Sequence, residues 1–266
     1  MALSTLSRSI RGEVAIITGA ASGMGRATAH LFGDEGARVA LIDINDDPLQ
    51  AVVKEMTDVG YDAKGWALDL SDEAAIEKVF FEIGDHFGGI DILVNNAGTG
   101  TYKPFLEVTD EDLEYGMAIN FFAQFRLTQR LVPGMIARGG GAVINVSGRT
   151  AVRTAYPPGS TCTGPAKAAE VRFSADLAME LKPHNIRVVC IVPGVVMTPD
   201  RFEKWEREAL GRELTAEEAA GLRDRLENEK LPAGAQWGKP SELADIIAFT
   251  ASERASYLSG ESIIVD

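Results

Sequence analysis

The sequence predicts a single-domain α/β protein built on a doubly wound parallel sheet. Three observations predict it. Short apolar runs alternate with longer stretches of helical periodicity along the chain. The first run, Val14-Ala15-Ile16-Ile17, leads into the glycine-rich stretch Thr18-Gly19-Ala20-Ala21-Ser22-Gly23-Met24-Gly25, and a helical pattern follows at once. The length, 266 residues, is enough for one large domain with a substantial core.

The first strand, turn and helix start together form a phosphate site. Glycines allow a tight turn and let the backbone approach a ligand with no Cβ in the way. Exposed N–H groups and the dipole at a helix N-terminus favour an anion. The anion that suits a parallel sheet is a dinucleotide pyrophosphate, with Gly19, Ser22, Gly23, Met24 and Gly25 beside it. A glycine turn alone is equally an ordinary strand-to-helix connection, so the case rests on the rest of the chain.

The second strand is Ala37-Arg38-Val39-Ala40-Leu41-Ile42, closed by Asp43. An acid at that strand tip accepts hydrogen bonds from both ribose hydroxyls of an adenosine and repels a 2′-phosphate. No Arg or Lys follows it immediately, so the expected cofactor is NAD rather than NADP. The plainer reading is that Asp43 begins a helix cap, as Asn45, Asp46 and Asp47 can. A helix from about Pro48 to Val59 leads to a third strand, Ala63 to Leu68, ending in Asp69-Leu70. The polar residues Ser71-Asp72-Glu73 cap a helix reaching to about Phe87. Ile90 to Val94 is the fourth strand, followed by Asn95-Asn96-Ala97-Gly98. These motifs all fall at the carboxyl ends of strands, where parallel sheets bind ligands.

A helix from Asp110 to about Ala137 stops at Gly139-Gly140-Gly141, and Ala142 to Ser147 is the fifth strand. A helix from Lys167 to about Leu181 precedes the sixth strand, Arg187 to Val192. Lys239 opens a last helix, and Glu261 to Val265 reads as an edge strand.

The formal charge of −13 and the pI near 4.8 argue against nucleic acid or an anionic membrane as a partner. Residues 1–12 lack an apolar core of signal-peptide type and read as a short, poorly ordered lead-in to a domain spanning 13–266. With no export signal, Cys162 and Cys190 are expected as free buried thiols in a cytoplasmic protein. His30, His86 and His184 lie outside every motif, so no metal site is expected.

With these motifs in place, the chain resembles the short-chain dehydrogenase/reductase family, whose fold is of the Rossmann type. Thr18-Gly19-x-x-x-Gly23-x-Gly25 is similar to that family's cofactor turn, and Asn95-Asn96-Ala97-Gly98 to its second signature. The resemblance implies an acid near the adenine at Asp69, beside Leu70. It implies that Asn120 kinks its helix and holds a water in a proton relay. It implies that Asn95, Ala97, Gly98 and Lys167 hold the nicotinamide half. Pro193-Gly194-Val195-Val196-Met197-Thr198 is similar to the family's motif beside the nicotinamide, with the Val196 backbone and the Thr198 hydroxyl fixing the carboxamide. By the same resemblance the chain is expected to form a homotetramer or homodimer and to act on a small molecule.

The chain departs from the family where the proton is handled. The family's catalytic serine position is Gly148, unless the register slips by one and Ser147 serves. The family's Tyr stands four residues before its Lys; here the Lys is Lys167 and the Tyr position is Thr163. A phenol near pKa ~10 is tuned downward by an adjacent ammonium, whereas an aliphatic hydroxyl is a poor base. Thr163 can orient a substrate or water. Tyr156 is the only phenol of the 149–162 loop, and it lies eleven residues before Lys167. It is read either as a relocated donor or as a plug beside Pro157-Pro158. Thr163, Tyr156 and a water on Asn120 are therefore the proton-transfer candidates.

The stretch 199–238 shifts to charged helical composition and corresponds to the family's substrate lid, with Phe202, Trp205, Leu210 and Leu214 as candidate substrate-facing residues. The expected function is NAD(H)-dependent hydride transfer between nicotinamide and a carbonyl or hydroxyl compound, with a non-standard proton donor. Two alternatives stand beside it. Thr163-Gly164-Pro165-Ala166-Lys167 also resembles enoyl- and dienoyl-thioester reductases, which keep the Lys and lose the Tyr at that position. The other is a dinucleotide-binding protein that has lost turnover.

Overall fold

The computed structural model describes residues 6–153, 159–196, 198, 202–203, 206–207, 210–228 and 238–266. Seven strands form one sheet: β1 (Val14–Thr18), β2 (Arg38–Asp43), β3 (Ala63–Ala67), β4 (Ile92–Asn95), β5 (Gly141–Val146), β6 (Ile186–Pro193) and β7 (Ser262–Val265). Their order is β3-β2-β1-β4-β5-β6-β7, and every ladder is parallel. Strand order reverses between β1 and β4, which opens a crevice at the carboxyl edge of the sheet. The fold is thus the doubly wound α/β arrangement that the alternating pattern predicts.

The helices that cover the sheet are α1 (Gly23–Asp34), α2 (Asp46–Asp58), α3 (Glu73–Phe87), α4 (Asp110–Met117), α5 (Ala123–Arg138), α6 (Thr163–Leu181), α7 (Ala216–Asn228) and α8 (Pro240–Ala251). Every residue of β1 is buried, as a strand covered on both faces requires. Its side chains alternate between two cores. Ala15 and Ile17 pack with Phe32, Met56 and Ile247 from α1, α2 and α8. Val14 and Ile16 face Ile83, Leu127 and Leu181 from α3, α5 and α6.

Three local features differ from the sequence-based expectation. Ile10, in the stretch read as a poorly ordered lead-in, is buried against the first core. An apolar side chain so close to β1 is removed from water, and Gly12 N–H donates to Gly36 O at 2.9 Å. The single helix expected over 110–137 is α4 and α5 joined by a π-helical turn, Ala118–Phe122. The helix expected from Lys167 begins four residues earlier, at Thr163.

Capping follows the sequence closely. Asp72 accepts hydrogen bonds from Ala74 N and Ala75 N at the start of α3, and Thr109 and Asp112 form a reciprocal box at α4. Thr215 and Glu218 pair in the same way before α7. Gly139 ends α5 at φ +96°, a left-handed conformation that side chains rarely adopt. Cys162 and Cys190 are free and buried. Among the described residues no helix is long and apolar enough to cross a membrane.

Candidate functional site

The turn after β1 brings backbone to the crevice. Gly19 and Gly23 have φ of +67° and +53°. A Cβ on Gly19 would lie 2.9 Å from Ala97 Cα, and one on Gly23 would lie 3.0 Å from Thr198 Cγ2. Both positions therefore demand glycine. Gly25 has a different duty. It is buried, and a Cβ there would sit 2.0 Å from Gly19 O, so it lets α1 close on the turn rather than facing a ligand. No acidic residue occupies the first turn of α1, and its cap, Ser22, makes no side-chain capping bond. The helix N-terminus thus presents positive potential to the cavity.

The turn is stitched to both neighbouring strands. Asn96 N and Ala97 N donate to Thr18 Oγ1 at 3.0 Å each, and Asn96 Nδ2 donates to Thr18 O at 2.9 Å. Ala21 N donates to Asp43 Oδ2 at 3.0 Å, while Asp43 Oδ1 accepts from Asn45 N at 3.0 Å. The Asp43 carboxylate is held in place at the tip of β2 and lines the cavity, while the N-cap of α2 is Asn45.

A cavity of about 540 Å³ runs along the carboxyl edge of the sheet. Asp43, Asp69 and Leu70 line one end; Gly98, Thr163 and Lys167 line the other; Gly19, Ser22, Gly23 and Met24 lie on its wall. Ala97, Pro193, Gly194, Val196 and Thr198 complete it. Thr198 Oγ1 is buried and has no hydrogen-bond partner among the described residues, as a donor and acceptor waiting for a ligand amide would be. The glycine cradle, the open helix N-terminus and this hydroxyl fit a nicotinamide dinucleotide.

Residues named from the sequence do not all reach the wall. Asn95 is wholly buried beneath it, donating to Thr128 Oγ1 at 3.2 Å and Asn145 Oδ1 at 2.9 Å; its neighbour Asn96 faces the cavity. Successive side chains at a strand end point to opposite sides, which separates the two. Asn120 sits in the π-helical turn, and both its amide nitrogen and its amide oxygen are hydrogen-bonded. Its Nδ2 donates to Thr99 O and Gly116 O at 2.9 Å each, and Oδ1 accepts from Thr99 N at 3.0 Å. Tyr156 and Trp205 lie outside the described residues.

The residues at the family's proton-handling positions are also committed. Thr163 Oγ1 accepts from Thr101 N at 3.0 Å and donates to Thr101 O at 3.3 Å. Ser147 donates to Lys167 O at 2.8 Å, so its single proton goes to α6. A Cβ on Gly148 would meet only Thr150 Oγ1, at 3.8 Å, an ordinary van der Waals contact, so a side chain there would fit without a clash.

Lys167 is the charged centre of the far end. Its Nζ donates to Val146 O at 3.0 Å and to Glu170 Oε1 at 2.8 Å. Glu170 is fully buried, and Gln124 Nε2 from α5 donates to the same oxygen at 3.0 Å. Burial raises the Glu170 carboxyl to about 7, against the opposing pull of the Lys167 ammonium.

Residues 13–209 match the short chain dehydrogenase family. The chain belongs to that family. Short chain dehydrogenases similar to it include the 3-oxoacyl-acyl-carrier-protein reductase of Thermotoga maritima, 34% identical with 97% of each chain covered. The NAD-dependent glycerol dehydrogenase of Listeria innocua is 34% identical over 97% of this chain and 93% of its own. The crystal structure of L-sorbose reductase from Gluconobacter frateurii, complexed with NADPH and L-sorbose, is 36% identical, covers 97% of each chain and superposes with a TM-score of 0.86. A 7α-hydroxysteroid dehydrogenase structure complexed with NADH is 30% identical, covers 99% of this chain and 96% of its own, and has a TM-score of 0.81.

Sequence reasoning missed several residues in or beside the cavity of this short chain dehydrogenase. Tyr102 and Tyr115 line the cavity near Thr163, from the loop after β4 and from α4. Nothing in their local sequence marks them, because a loop and a separate helix bring them together. Glu170 had a visible signal, a Lys-x-x-Glu spacing that places both residues on one helix face. Its burial had none.

Proposed function

We propose that the chain is an NAD(H)-dependent oxidoreductase that transfers hydride between nicotinamide and a carbonyl or hydroxyl compound. The observation that carries the choice of cofactor is the Asp43 carboxylate, braced by Ala21 N and Asn45 N at the adenosine end of the cavity. It accepts from two ribose hydroxyls and repels a 2′-phosphate. Asp69 and Leu70 flank the adenine, and Val196 and Thr198 hold the carboxamide. Bound there, the nicotinamide ring supplies or takes up the hydride.

The chain's own residues orient the substrate and hold the proton. Lys167 keeps one N–H beyond those given to Val146 O and Glu170 Oε1, and it lines the cavity. With Thr163 bonded to Thr101, groups on this wall suited to exchanging a proton with a substrate oxygen, among the described residues, are the Lys167 ammonium and the Tyr115 phenol. Relatives named as glycerol dehydrogenase and L-sorbose reductase support a carbonyl or hydroxyl substrate. The same reading takes the protein as cytoplasmic, as a homotetramer or homodimer, and with 199–238 as its lid.

The test uses NADH deuterated at nicotinamide C4, on each face in turn, with a panel of ketones, aldehydes and enoyl thioesters. Deuterium on a carbinol carbon is expected. Label at the β-carbon of a saturated thioester would replace this reading with C=C reduction. Tight NADH binding with no transfer to any of them would favour a protein that only binds.

A further inference from the structure

Lys167 and Glu170 are the only charged side chains among the described residues that are buried. Their placement is specific. Two N–H groups of Lys167 are spent on Val146 O and Glu170 Oε1. Nζ also lies 3.1 Å from where a Cβ on Gly98 would be, at the nicotinamide end of the cavity. The ammonium therefore stands between the cavity and the carboxyl.

The carboxyl has few other neighbours. From α5, the neutral Gln124 amide donates to Oε1 at 3.0 Å. From the end of β5, Ser147 gives its proton to Lys167 O. From β6, the Cys190 thiol is pushed up to about 12, first by burial and then by the Glu170 charge, and stays neutral. On α6 itself, Ser174 Oγ donates to Glu170 O at 2.7 Å. Glu170 Oε2 has no hydrogen-bond partner among the described residues. Lys167 is thus the one charge facing Glu170 in this set.

We infer that Glu170 is a positioning residue that sets the net charge Lys167 presents to the nicotinamide end, and through it the balance between oxidised and reduced cofactor. The inference rests on the reading of the cavity as a nicotinamide dinucleotide site. An oxidised nicotinamide ring is cationic and a reduced one is neutral. With Glu170 ionised, the pair is neutral and tolerates the cation. With Glu170 protonated, the site carries one uncompensated positive charge and rejects it. Burial places that change near pH 7. A salt bridge that merely fastened α6 would affect both cofactor forms alike.

The experiment measures Kd for NAD⁺ and for NADH by calorimetry at pH 6 and pH 8, with the wild-type chain and with Glu170→Gln. In the wild type, the ratio Kd(NAD⁺)/Kd(NADH) is expected to fall about 10-fold between the two pH values. In Glu170→Gln it should be flat and stay at the high, low-pH value. A flat wild-type ratio overturns the inference even if the variant does not fold. So does a variant that keeps the wild-type slope. Failure of the wild type to bind either form is a different result and removes the cavity assignment together with everything built on it.

Discussion

The hydroxyl of Thr163 is closed on the backbone of Thr101, accepting from its N–H at 3.0 Å and donating to its C=O at 3.3 Å. The helix position at which the family resemblance implies a phenol here fastens a loop. That loop is tied a second time by Lys103, whose Nζ bonds both carboxylate oxygens of Asp112 at 2.7 and 2.6 Å. The Lys103 bond is the main reason the Asp112 carboxyl drops to about 2.

Thr163→Val keeps the shape and removes both bonds. It should lower stability by about 1–3 kcal/mol, because both backbone groups of Thr101 lose their partner. Urea denaturation measures this. A variant as stable as the wild type would mean that the loop is held without Thr163.

Asp43→Ala should weaken NAD binding about tenfold and narrow the preference over NADP by a similar factor, through lost ribose hydrogen bonds and lost repulsion. Kd values for both dinucleotides decide it. Unchanged selectivity would take Asp43 out of the adenosine site.

Lys167→Ala leaves the Glu170 carboxyl buried without its counter-charge. We expect a loss of about 3–5 kcal/mol at alkaline pH, and weaker cofactor binding. The sign with pH follows from Glu170. Its carboxyl is already raised from 4.5 to about 7 in the folded chain, and removing the lysine's pull raises it further. A carboxyl raised by folding is destabilising once ionised. Well below 7 both folded chains hold Glu170 protonated and lose stability in parallel, so the variant's deficit should open and grow as pH rises from about 6 to 9, through the wild-type value of about 7. Denaturation at both ends of that range checks it; a deficit that shrinks with pH contradicts the pairing.

Gly25→Ala would place a Cβ 2.0 Å from Gly19 O, a backbone atom that cannot move without reshaping the turn. We expect a loss of about 1–3 kcal/mol and markedly weaker dinucleotide binding. Thermal unfolding and calorimetry report the two effects. Gly134→Ala, inside α5 where a Cβ meets nothing within 4 Å, should leave dinucleotide binding unchanged and raise stability by about 0.5–1 kcal/mol, because alanine is the better helix former.

Much of this protein is legible in local pattern. Val14–Thr18 is legible as a strand because Val14 to Ile17 form a short apolar run of the kind a strand covered on both faces requires. The turn at Gly19 and Gly23 is recognisable because only glycine tolerates those backbone angles beside Ala97 and Thr198. Asp43 at the tip of β2, the caps at Asp72 and Thr215, and the stop at Gly139 all depend on residues a few places apart. The right hand of successive strand–helix–strand units then fixes which face of the sheet each helix covers.

Tertiary structure alone decided how the far end of the cavity is wired. Thr163 and Thr101 are 62 positions apart, Lys167 and Val146 are 21 apart, and Gln124 and Glu170 are 46 apart. The Lys167–Glu170 spacing is visible in the sequence, but a surface pair has the same spacing. Desolvation makes this one matter. The sheet and α5 enclose Glu170, and only that enclosure turns an ordinary carboxylate into one that titrates near neutrality beside the cavity. Local sequence sets backbone conformation because steric limits act between near neighbours. Side-chain charge and proton commitment depend on what distant segments bring against each group, and those become definite only when the sheet has closed.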